Sequence, residues 1–199
     1  MFRFDQLLEE WATRYKPLSH DPAADAKQKA FYRIDTINNN NEFVQSYNIA
    51  HSPCMAYSTL IDASLARGNG KIISYRHSIY FMVKQEPPKR NAKTTINDAL
   101  EATEAKFDAD ELVQDLLAFL FALKDELKNP QAGANGKSSI VRQIAKCLSP
   151  EERKAFAGLN LETAEWGTMP VRYNGWWICG LEIEQLAPRS LCIVEERYK

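Results

Sequence analysis

Residues 71–85, KIISYRHSIYFMVKQ, constrain the fold more than any other stretch of the chain. Ile73, Tyr75, Ile79, Phe81 and Val83 recur at every second position, with Ser74, Arg76 and Ser78 between them. A period of two is the mark of a β-strand, because successive side chains point to opposite faces. A strand buried on both faces would be continuously apolar, so the alternation predicts an antiparallel neighbourhood with one dry face and one wet one. His77 falls on the apolar side, the one polar residue there. A second tract of the same kind spans residues 173–186, where Trp177, Cys179, Leu181 and Ile183 share a face opposite Glu182 and Glu184. The two tracts are expected to be partners in one sheet.

The rest of the chain supplies helices to cover that sheet. Phe4, Leu7, Leu8, Trp11 and Tyr15 stand three and four apart, which predicts an amphipathic helix with Asp5 as its cap and its aromatic stripe on the sheet. Residues 19–29 read as a polar connector, with His20 and Asp21 a solvated or capping pair. Residues 30–37, 42–50 and 54–60 read as strands, the first two joined by a hairpin tip at Asn38, Asn39, Asn40 and Asn41, since asparagine tolerates left-handed backbone angles. Residues 62–70, DASLARGNG, read as a turn into the anchor tract, completing four consecutive antiparallel strands. A weak helix is expected over 95–106 and a strong one over 108–128, capped by Asp108 with Glu111 three residues on. Its apolar positions fill more than one stripe, so it needs two neighbours, the sheet and either another helix or another subunit. A short helix follows at 139–147. Ser149, Pro150, Glu151 and Glu152 then form a capping box that starts a helix ending at Gly158. Together these predict an α+β fold: an antiparallel or mixed sheet of five or six strands with helices packed mainly on one face, one domain over 1–199 with a helical insertion at about 129–158.

Composition narrows the function classes. With 45% hydrophobic and 26% charged residues over 199 positions, the chain has enough apolar material for a sizeable core and is a poor candidate for disorder. A net charge of −1 provides no overall field for nucleic acid. The opening MFRFDQLLEEW is acidic where a secretory signal needs an apolar core, and no apolar run reaches 18 residues, so a cytoplasmic protein with no membrane partner is expected. Cys54, Cys147, Cys179 and Cys192 lack metal or redox spacing and read as free thiols.

No motif compels a chemistry, and no cofactor, metal or catalytic residue is expected. His51 and Cys54 could be a base and a nucleophile, but thiol enzymes assemble that pair in space rather than in sequence. The loop at 66–71 precedes a strand, and the GK-S string within 133–139 follows a helix, so neither has the strand–loop–helix setting of a phosphate cradle. Tyr75 and His77 are the polar groups that would face a pocket between the sheet and the long helix. Trp176 falls on the outer face beside Glu182 and Glu184, and an exposed aromatic next to charges is an interface signal.

The order of helix, strands, long helix, short helices and returning strands resembles that of phage tail-terminator or tail-completion proteins of a prophage family. The likeness rests on HDPA (20–23), FYRID (31–35), PCMAYS (53–58), ISYRHSIYFMV (73–83) and GWWICGLEIEQLAPRSLC (175–192). The helices between 129 and 158 depart from it. What the resemblance implies is a non-enzymatic structural protein of a phage or prophage tail, acting as a tail terminator or in head–tail joining. Copies would associate as a ring, commonly a hexamer, and meet other tail or head-connector proteins. Such a protein is made in the host cytoplasm and ends up in the virion. Two other readings stand beside it: a small intracellular ligand-binding module using the Tyr75 and His77 pocket, and a Cys54-dependent enzyme.

Overall fold

The tract that reads most clearly as a strand is the centre of the sheet. The computed structural model of the chain describes residues 3–34, 49, 51–59, 62–65, 72–84, 96–130, 139–170 and 176–188. Apart from Ile49, the strand expected over 42–50, the asparagine tip and the loops at 66–71 and 133–138 lie outside the described residues. The elements run α1 (Phe4–Arg14), β1 (Phe31–Ile34), β2 (Cys54–Ser58), β3 (Asp62–Leu65), β4 (Ile72–Lys84), α2 (Ile96–Lys128), α3 (Ser139–Cys147), α4 (Pro150–Ala157), β5 (Leu159–Pro170) and β6 (Trp176–Pro188). Among the described residues, four helices and a six-stranded mixed sheet make this an α+β fold, with helices against the sheet.

β4 and β6 pair antiparallel along their whole length, from Ile72 opposite Pro188 to Lys84 opposite Trp176. The two alternating tracts are therefore partners, as their shared period implied. β2 and β3 both lie on the other edge of β4, β2 beside Ile79–Met82 and β3 beside Ile73–Arg76, so together they form one interrupted strand. β5 closes the far edge, antiparallel to β6, with an irregularity between Asn160 and Glu165.

Two expectations need correction here. β1 lies directly beside β2 and runs parallel to it, where a meander would hold the first and third expected strands apart, so the first strands are no simple meander. A parallel neighbour requires a connection of a dozen or more residues, and β1 and β2 are separated in sequence by residues 35–53. Residues 62–65, read as part of a turn, form β3.

The inner face of the sheet carries Met55, Tyr57, Ile79, Phe81, Val83, Cys179, Leu181 and Ile183, all in one buried cluster with the stripe of α1 and the apolar positions of α2. α1 has Arg3 at its cap position and no side-chain cap. Asp5 is instead inside the helix and accepts from Arg33 Nε at 2.8 Å, while Glu9 takes the same guanidinium at 2.7 Å, which ties α1 to β1. α2 is one helix of 33 residues, so Asp108 is an interior residue rather than a cap. Its second neighbour is α3, whose Val141, Ile144 and Ala145 join the main core. α4 does begin with the capping box of Ser149 and Glu152.

The outer face is not uniformly wet. Tyr32, Ile34, Ile49, Cys54, Ala56, Met82, Trp176 and Ile178 form a second buried cluster at the Lys84 end of β4. Among the described residues, the second apolar cluster lies on the outer face at the Lys84 end, while the main cluster lies on the inner face.

Gly158 joins α4 to β5 at a point where backbones touch. A Cβ there would sit 2.2 Å from the carbonyl oxygen of Leu186, while Leu186 N–H donates to Gly158 O at 2.8 Å. Because the obstacle is backbone, Gly158→Ala must spread the junction. The expected cost is about 1–3 kcal/mol, read as a lower urea midpoint at an unchanged slope.

Candidate functional site

His77 sits on the inner face of β4 with 2% of its surface exposed. Gln185 Nε2 donates to the carbonyl of Ala155 at 3.0 Å, which turns its side-chain oxygen toward His77 Nε2 at 2.9 Å. That oxygen can only accept, so Nε2 carries the proton. Nδ1 is then the acceptor for the Tyr57 hydroxyl, also at 2.9 Å. Both ring nitrogens are satisfied with the imidazole neutral. Burial holds its pKa below the ordinary histidine value, an effect the bond to Gln185 partly offsets. The Phe4 ring lies edge-on to the imidazole at 4.9 Å. Tyr75, the expected companion, is half-buried and makes no hydrogen bond to His77 among the described residues. Where a pocket between sheet and α2 was expected, Phe4, Ile79, Leu116 and Leu120 are packed together.

The outer-face residues part company. Trp176 does point to the outer face, but it is buried to 2% within the second cluster, with Lys84 Nζ 5.8 Å from the centre of its ring. It is therefore core, not an exposed contact. Glu182 is exposed and pairs with Arg76 at 3.5 Å; Glu184 is half-buried and accepts from the Ser74 hydroxyl. They form the floor of an open trough of about 750 Å³ across β3, β4, β6 and β5. Asp62 on β3 and Glu165 on β5 add two more carboxylates to its lining, and Glu165 lies directly opposite Glu182. Four acids thus share one guanidinium among the lining residues, and cross-strand like charges repel. Such a surface favours cations over anions. Sequence reasoning missed Glu165, because its register against Glu182 follows an irregular stretch of β5 that no local pattern announces.

Cys54 is fully buried in the second cluster, where burial pushes its thiol pKa well above the ordinary cysteine range. His51 Nδ1 lies 2.8 Å from the carbonyl oxygen of Pro53, and among the described residues no hydrogen bond joins the ring to the thiol. A thiolate nucleophile needs the opposite environment. A smaller apolar groove, about 280 Å³, lies between α1, α2 and α3, lined by Trp11, Tyr15, Phe119, Ala122, Ile140 and Val141. The Tyr15 hydroxyl at its edge donates to Asp115.

Among the described residues, no group of three or more histidines, cysteines or carboxylates is placed to hold a metal ion, and no helix is long and apolar enough to cross a membrane. No protein-family model matches the chain, and no curated protein is significantly similar to it.

Proposed function

We propose that the chain is a non-enzymatic structural protein of a phage or phage-like tail, a terminator or head–tail joining subunit that works as one copy in a ring. The observation that carries this reading is the edge formed by β5. Its outer side has no strand partner among the described residues, and Trp166 on it is 47% exposed. The indole N–H of Trp166 donates to Asp110 of α2 at 2.9 Å, which fixes an exposed apolar ring beside a free strand edge. Free edges are liabilities unless something pairs with them. A ring also needs two different patches per copy, and the apolar groove over α1, α2 and α3 offers the second. The resemblance in the sequence supplies the tail setting.

Sedimentation velocity on the full chain at rising concentration tests this. The expected result is one closed oligomer. Trp166→Lys, which places a charge on the edge, is expected to shift it to monomer without lowering thermal stability by more than a few degrees. A wild-type chain that stays monomeric throughout, or a lysine variant that associates as well as the wild type, would contradict the reading.

A further inference from the structure

α1 touches two buried imidazoles, one near each end. At its start the Phe4 ring packs against His77, as described above. Near the other end, His20 is 4% exposed, its backbone N–H donates to the Ala12 carbonyl at 3.2 Å, and its ring lies edge-on to Phe31 at 5.9 Å. Of the solvated or capping pair expected of His20 and Asp21, Asp21 is exposed and caps the next turn by accepting from Ala23 N–H, whereas His20 is buried and part of the docking surface. Neither ring nitrogen of His20 has a hydrogen-bond partner among the described residues. Its Nε2 stands 3.7 Å from Glu9 Oε1, too far for a hydrogen bond of the neutral ring and within ion-pair range only once the ring is charged, and Glu9 is already committed to Arg33.

We propose that α1 is an acid-released cover: protonating His20 and His77 frees it from the sheet and bares Phe4, Leu7, Leu8 and Trp11. The groups that face each imidazole support this direction. His20 meets Glu9 from α1, Asp21 and Lys29 from the connector, and Phe31 from β1, with Arg33 holding Glu9. Glu9 and Asp21 favour the charged ring, Lys29 opposes it, and burial outweighs them, so the pKa lies below the ordinary value. His77 meets Tyr57 from β2, Gln185 from β6 and Phe4 from α1, none of them charged at neutral pH. A proton on His77 Nδ1 would require the Tyr57 hydroxyl, which now donates to it, to turn and accept instead.

The sign follows from linkage. A histidine whose folded pKa is depressed binds fewer protons when docked than when released, so the docked state loses stability as pH falls below about 6.5. The opening constant of α1 is expected to rise by up to about tenfold per pH unit for each histidine over that window.

Hydrogen exchange on the full chain, taken from neutral pH to about pH 5 and corrected for intrinsic rates, measures this. The amides of residues 8–14 should lose protection steeply while those of residues 79–83 keep theirs. His20→Phe, which fills the same space without a titrating group, should remove about one tenfold step per pH unit from that slope. NMR titration of the unmodified chain should place both imidazoles below 6.5. Protection of α1 that does not change with pH would overturn the proposal. So would parallel loss of protection in α1 and β4, an unchanged slope in the variant, or either ring titrating at or above its ordinary value.

Discussion

Replacing Phe81 by alanine is expected to cost the fold about 3–5 kcal/mol, the range for emptying a fully buried aromatic site. Phe81 sits where β2, β6 and α1 all meet β4. It is 0% exposed, lies opposite Cys179 on β6 and Met55 on β2, and receives the Trp11 ring edge-on at 6.1 Å. Backbone pairing on both sides of β4 holds the strand in place, so the cavity cannot collapse by sliding one strand toward another. The full transfer and cavity terms should therefore be felt. Urea unfolding measures it, with Phe81→Leu as the milder control. A loss below about 1.5 kcal/mol for the alanine variant would mean that the sheet and helices do not close over this position.

His77→Leu is expected to cost about 2–5 kcal/mol, for a different reason. Leucine fills much of the ring's volume but leaves the Tyr57 hydroxyl and the Gln185 oxygen without their partner, and each unsatisfied buried group costs about 1–3 kcal/mol. The loss should be recoverable in part. Adding Tyr57→Phe removes the stranded hydroxyl, so the double variant should be more stable than His77→Leu alone by about 1 kcal/mol or more. A double variant that is less stable by the sum of both single losses would show that the bond between the two rings carries none of the cost.

Much of this architecture was legible because it rests on local periodicity. The period of two in β4 and β6, the stripe of α1 and the capping box of α4 are each written within a dozen residues or fewer, and each appears where its pattern puts it. Non-local choices were not legible. Nothing in FYRI says that it will lie parallel to CMAYS, because that depends on a crossover whose route no local rule sets. Asp108 looked like a cap because aspartate favours that position, but α2 continues through it. Two residues later Asp110 finds partners in Trp166 and Gln114, so tertiary contact outweighs propensity there.

At the outer face a signal was present and passed over. Residues 79–83, IYFMV, are continuously apolar rather than alternating, which is how a strand buried on both sides reads. Tyr80 and Met82 meet Trp176 and Ile178 in the second cluster. The same reasoning would have placed Trp176 in a core instead of at an interface. The candidate sites fared according to how far they depend on neighbours. His77 was assigned to the apolar face from parity alone, and the structure adds the Tyr57 and Gln185 contacts that parity could not supply. The burial of His20 gave no sequence signal at all, since its neighbours are polar and the ring is enclosed by α1 and β1.

Electron microscopy of the purified full chain bears most directly on whether this protein works by associating with its own copies. Closed rings of a single diameter, lost in Trp166→Lys, are the expected image. Fields of separate single copies at every concentration, with or without the substitution, would contradict it.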